Sequence, residues 1–145
     1  MPGETDLMKL YSGRILELAA DIPRHGRLDA PHSTVRKRSP LCGSTVTVDM
    51  VMRDGRVTDF AQDVKACALG QAAASVVGSG VEGRSAAELI EVRDALRVML
   101  ARDGPTPPAP FDGFEALRPA TAYKNRHASI LLSIEAAVDA AQACS

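Results

Sequence analysis

The sequence predicts an α+β domain: an N-terminal helix, a three-stranded antiparallel sheet, then helices packed on one sheet face. Three observations carry this. Leu7, Leu10, Tyr11, Ile15, Leu18 and Ala19 recur at helical spacing near the start. Val46, Val48, Met50 and Met52 then alternate with other residues, the signature of a half-buried strand. Beyond Cys67 the apolar residues return to spacings of three and four, as in helices packed on a sheet. The reading is of one domain over residues 1–145, with its structured core at 7–141.

The elements follow in order. Pro23 and Gly26 stop the first helix, and a turn-rich stretch runs on to Pro40. Within it, Thr34 to Arg38 reads as a short edge strand. Thr45 to Met52 is the second strand. Asp54-Gly55 is a hairpin signal, because both residues tolerate the positive φ of a type I′ turn, and Val57 to Val64 returns as its partner. Leu69, Ala72, Ala73, Val76 and Val77 form a helical stripe of small residues, fading at Gly78 and Gly80. Ser85 and Glu88 are spaced as a capping box, opening a helix that Gly104 ends. Four prolines between Pro105 and Pro110 read as a rigid loop. Phe111, Phe114 and Leu117 suggest one helical turn, and a last helix runs from about Asn125 to Ala141.

Composition excludes several classes of function. There are 17 Lys+Arg against 18 Asp+Glu, a formal net charge of −1, so no basic footprint for nucleic acid exists. Aromatic residues are 3% and Trp is absent, which argues against stacking platforms for single strands or sugars. No apolar run approaches the ~18 residues of a membrane span. The first twenty residues mix charged and apolar side chains, with no signal-peptide core, and the expected location is cytoplasmic. At 145 residues the chain needs no disulfide or metal merely to fold. Its cysteines, Cys42, Cys67 and Cys144, are odd in number and form no C-x-x-C pair, so a disulfide framework is not expected. Gly78-Ser-Gly80 lacks the Lys-Ser/Thr of a phosphate loop.

Chemistry therefore rests on few residues. Cys42 lies just before a strand, in Pro40-Leu-Cys-Gly-Ser44, where Gly43 allows close backbone approach. Cys67 lies between a strand and a helix start, where unpaired amides favour an anionic thiolate. His127 is in the first turn of the final helix. Two thiols and an imidazole suit zinc or iron. Spacing alone leaves another reading open, in which the cysteines are small buried hydrophobes and the histidine a capping or surface residue. Cys144, penultimate in the chain, reads as incidental. Arg36-Lys37-Arg38 reads either as a solvated edge that blocks strand-to-strand aggregation or as a docking strip for an acidic partner.

Taken in order, these segments resemble the U-type iron–sulfur cluster assembly scaffolds (IscU/SufU/NifU-like). Ile22-Pro-Arg-His-Gly-Arg-Leu28 is similar to that family's Asn-Pro-Arg-Asn-x-Gly segment, and Ser39-Pro-Leu-Cys-Gly-Ser44 to its Asn-Pro-x-Cys-Gly-Asp. Ala66-Cys-Ala-Leu-Gly-Gln-Ala-Ala-Ala-Ser75 resembles its Gly-Cys helix start, and Gly83-Arg84-Ser85 its Lys-Gly-Lys-Ser/Asp turn. Phe114-Glu-Ala-Leu117 resembles the longer, SufU-like branch, and Arg126-His-Ala-Ser129 the His-Cys-Ser of the last helix. The resemblance implies a scaffold rather than an enzyme, one that binds iron, zinc or an iron–sulfur cluster transiently. It implies a cysteine desulfurase and cluster-accepting clients as partners. Carried over by position, the implied ligands are Cys42, Cys67 and His127, with Ser44 as a weak candidate. Ser44 stands where the family has aspartate and Ala128 where it has a third cysteine. Losing a carboxylate and a thiolate implies weaker metal binding than in a full four-ligand site. The alternatives are a persulfide carrier using Cys42 or Cys67, or a relic fold that only binds partners.

Overall fold

The computed structural model describes residues 12–40 and 43–144. Its elements are α1 (Gly13–Ala20), β1 (Ser33–Arg38), β2 (Thr45–Arg53), β3 (Arg56–Lys65), α2 (Ala68–Gly80) and α3 (Ala86–Arg102). Two 3₁₀ segments (Asp112–Ala122 and Lys124–Arg126) and α4 (His127–Cys144) complete the chain. Ser12 caps α1 by accepting from the Ile15 amide. Leu7, Leu10 and Tyr11 of the expected first helix lie outside the described residues.

The sheet is antiparallel in the order β1-β2-β3. Asp54 and Gly55 both take positive φ (55° and 74°), as the hairpin signal requires. Val46, Val48 and Met50 are fully buried on the face that α4 covers. The alternation breaks between Val51 and Met52, where the register with β3 shifts. That irregularity leaves Met50 and Val51 both buried and Met52 only partly so. The capping box forms in full: Ser85 accepts from the Glu88 amide and Glu88 from the Ser85 amide.

Three boundaries differ from the sequence expectation. α2 does not fade at Gly78 but runs through it to end at Gly80. A Cβ on Gly78 would sit 2.7 Å from the Pro23 carbonyl oxygen, so only glycine lets the post-α1 loop pack there. The stretch after the proline loop is not one turn but an eleven-residue 3₁₀ segment. Phe111, Phe114, Leu117 and Ala120 are all buried, and their spacing of three is the 3₁₀ period. Asn125 and Arg126 lie in the short second 3₁₀ segment, so α4 starts at His127.

One buried side chain ties these layers together. Gln62 pairs with Val48 on the helix-covered sheet face and is fully buried. Its amide nitrogen donates to the Ala74 carbonyl of α2 at 2.8 Å and to the Pro23 carbonyl at 3.3 Å. Its amide oxygen accepts from Ser133 Oγ of α4 at 3.0 Å. Its backbone bonds outward too: Gln62 N–H donates to the Arg24 carbonyl, and Gly26 N–H donates to the Gln62 carbonyl. The post-α1 loop thus runs beside β3 as a single bridge, then crosses onto the sheet's other face.

There Asp49 receives it. Its side chain is fully buried and accepts from Arg27 Nε (2.6 Å), Arg27 Nη2 (3.2 Å), the Leu28 amide (3.0 Å) and Thr34 Oγ1 (2.6 Å). Burial alone would raise the Asp49 carboxyl, but the bonds from Arg27, Thr34 and Leu28 outweigh it and hold the carboxyl below its ordinary value.

Two outcomes are expected. Gln62→Leu leaves the buried Ser133 hydroxyl and the Pro23 carbonyl without this partner and should cost about 2–4 kcal/mol in urea unfolding. An unchanged midpoint would show that the amide bonds contribute nothing. Asp49→Asn tests the charge. The native carboxyl binds its proton more weakly than the unfolded one, so its contribution is full above the unfolded pKa and is lost as pH falls through the lower native one. The stability gap between native protein and Asp49→Asn should therefore be largest above about pH 5 and shrink on acidification. A gap independent of pH would contradict this assignment.

Candidate functional site

Three elements end at one place. Ser44 immediately precedes β2, Cys67 is the N-cap of α2, and Ser129 lies in the first turn of α4. Ser129 Oγ is 3.4 Å from Cys67 Sγ and 3.1 Å from Ser44 Oγ. Both serines are buried, while Cys67 is half-buried. Ser129 therefore joins the thiol to the start of β2. The Cys67 thiol makes no capping bond to its own helix, so its sulfur is not used for that purpose.

The approach of α2 to α4 here is set by Gly70. A Cβ at that position would lie 2.8 Å from Ala66 Cβ and 2.9 Å from Ser129 Oγ. Gly70 stands one turn into α2 from Cys67, so any larger residue would push Ser129 away from the sulfur. Sequence reasoning passed over Ser129. A serine inside a helix carries no periodic signal, and its hydroxyl partners lie 62 and 85 residues away.

The other expected residues are placed as follows. Cys42 lies outside the described residues. The described residues on either side of it are bonded to one another: Ser39 N–H donates to the Ser44 carbonyl, and Gly43 N–H donates to the Ser39 carbonyl. Gly43 takes a φ of 67°. His127 directs Nε2 to the Ala120 carbonyl at 2.9 Å. A carbonyl can only accept, so Nε2 is the protonated nitrogen, and a neutral ring keeps its lone pair on Nδ1. Among the described residues, no three His, Cys, Asp or Glu side chains form a group that could hold a metal ion. Cys144 lies at the far end of α4, its sulfur 3.2 Å from Ser33 Oγ.

The site is thus a helix-start thiol beside the first turn of the last helix of a small α+β domain. The profile of the NifU-like N-terminal domain matches residues 10–129, and the chain belongs to that family. Among solved structures, it is 46% identical to a nitrogen-fixing NifU-like protein (N-terminal) from Brucella abortus. That match covers 96% of each chain with a TM-score of 0.92. A putative iron–sulfur cluster assembly scaffold protein for the SUF system from Fervidobacterium islandicum shares the fold. It is 19% identical, with 88% of this chain and 93% of that chain covered and a TM-score of 0.78. Comparison with curated proteins gives no significant match.

Ser129 makes a testable contribution. In a background where Cys42 and Cys144 are serine, Ser129→Ala should slow alkylation of Cys67 at neutral pH roughly fivefold, the equivalent of about 1 kcal/mol for one lost hydrogen bond to the thiolate. An unchanged or faster rate would show that the hydroxyl does not support the anionic sulfur.

Proposed function

We propose that this protein is an assembly scaffold that carries an iron–sulfur cluster, or an iron or zinc ion, as transient cargo and passes it to client proteins. The observation that supports this best is the Cys67 thiol. It stands at a helix start, unused as a cap and braced by Ser129, in a chain of the NifU-like family. Cys42 supplies the second thiolate and His127 the third ligand. The His127 hydrogen bond to Ala120 suits that role, because a metal-binding imidazole commonly donates its other nitrogen to a carbonyl.

The donor set fits loose holding better than permanent binding. Ser44 and Ser129 are hydroxyls, which bind metal poorly until deprotonated, and Ala128 offers no donor. A fourth position therefore falls to water or to a partner's side chain, which suits a carrier that must release its load. A cysteine desulfurase as sulfur source and a reducing cytoplasmic setting complete the reading.

A second reading draws on the same hydroxyls. As a persulfide carrier, Cys67 thiolate would attack the outer sulfur of a donor persulfide. The new S–S bond forms as the donor's S–S bond breaks, and the donor leaves as thiolate. The hydroxyl of Ser129 meets that sulfur, with Ser44 bonded to Ser129, and neither adds the negative charge a carboxylate would bring.

The experiment is a competition titration with a chromogenic zinc chelator. Cys67→Ser should weaken zinc binding by about tenfold or more. Ser44→Asp with Ala128→Cys should tighten it strongly by completing four ligands. Equal affinity for all three proteins would overturn the scaffold reading. Persulfide on Cys67 after incubation with a desulfurase, with no metal bound, would favour the second.

A further inference from the structure

The open face of the sheet is built in two halves. The half around Asp49 is held by Arg27 and Leu28 of the post-α1 loop. Among the described residues no loop crosses the half nearer Ser39 and Ser44, and the side chains there follow from the register. One row across the strands is Arg36–Thr47–Asp63, and the next is Arg38–Thr45–Lys65. Arg36, Thr47, Asp63, Thr45 and Lys65, with Arg27 and Thr34, line a shallow groove of about 380 Å³, and Arg38 stands in the same row as Thr45 and Lys65. Arg36, Arg38 and Lys65 are exposed, and none of them forms an ion pair among the described residues. Their neighbour Lys37 points to the helical side, where Asp139 pairs with it at 2.8 Å. The basic run in β1 is thus divided by the pleat: one cation is committed to α4 and two are left for the open face.

From this juxtaposition we infer that the half-face around Arg36, Arg38 and Lys65 is a docking surface for an acidic, extended protein segment. The spacing selects that occupant. Arg36 and Lys65 stand on the outer strands and two residues apart along them, about 12 Å between Cα atoms at roughly 4.8 Å per strand and 3.3 Å per residue, a span suited to two anionic groups on one chain. Carboxylates four residues apart on an extended chain lie on the same side of it at a similar separation, at about 3.3 Å per residue. Thr45 and Thr47 place hydroxyl donors between the cations, matched to carboxylate oxygens. The face carries no aromatic residue for stacking bases, and Asp63 would repel a continuous run of phosphates. The chain as a whole has a net charge of −1, so this cationic concentration is local. Arg38 and Thr45 adjoin Ser39 and Ser44, and Lys65 lies two residues before Cys67. A partner seated here would therefore reach the thiol end of the molecule.

The test is fluorescence anisotropy of a short labelled peptide with glutamate at every fourth position. The expected result is saturable binding that weakens as salt is raised. Arg36→Gln with Lys65→Gln should reduce affinity about tenfold. Arg102→Glu, which removes the same net charge from the C-terminal end of α3, should leave it unchanged. Asp63→Asn, which takes the acid out of the groove, should tighten binding. Several results would overturn the inference: no saturable binding, an equal loss with Arg102→Glu, tighter binding of a single-stranded oligonucleotide than of the peptide, or displacement by inorganic phosphate at low millimolar concentration. Melting temperatures of the variants, all at exposed or half-exposed positions, check that folding is intact.

Discussion

A buried amide must have its partners, and Gln62 finds them in three different segments. Its side chain spans the Pro23 carbonyl, the Ala74 carbonyl of α2 and the Ser133 hydroxyl of α4, while its backbone holds Arg24 and Gly26. Leaving any of these unmet inside the core costs more than the bond itself contributes. The post-α1 loop, β3, α2 and α4 are therefore fixed relative to one another at a single point. Gly78 makes that point accessible by offering no side chain where Pro23 and Gln62 meet α2.

The thiol site inherits its geometry from this constraint. Cys67 opens α2 and Ser129 stands one turn before Ser133 on α4. Once Gln62 seats Ala74 and Ser133, the first turns of both helices are brought together, and Gly70 lets them close onto Cys67. The two buried serines of α4 thus share one stripe, one turned to the core amide and the other to the sulfur. Asp49 does the corresponding work on the opposite sheet face. It draws Arg27 and Leu28 across, and among the described residues no loop crosses the remaining half.

What was legible in the sequence was what local physics decides. The β2 alternation, the Asp54-Gly55 turn and the Ser85–Glu88 capping box each depend on residues a few positions apart, and each has its expected form. The edge strand around Arg36 was legible for the same reason. The 3₁₀ segment was visible in principle, since Phe111, Phe114, Leu117 and Ala120 keep a strict spacing of three, but it reads as a broken helix unless that period is counted. Gln62 and Ser129 were not legible, because polar residues in regular elements gain meaning only through partners far along the chain. At the site, Cys67 was readable from its place between strand and helix, whereas its bond to Ser129 was not. His127 was read by resemblance as a ligand, and the structure adds its hydrogen bond to Ala120.

The central claim is that thiolate sulfur at Cys67, with Cys42, holds the cargo. The most direct measurement is X-ray absorption at the zinc edge on protein loaded with one equivalent of zinc. The account predicts two sulfur scatterers at about 2.3 Å together with nitrogen or oxygen at about 2.0 Å, and loss of one sulfur in Cys67→Ser. A first shell of oxygen and nitrogen alone, unchanged by that substitution, would contradict it.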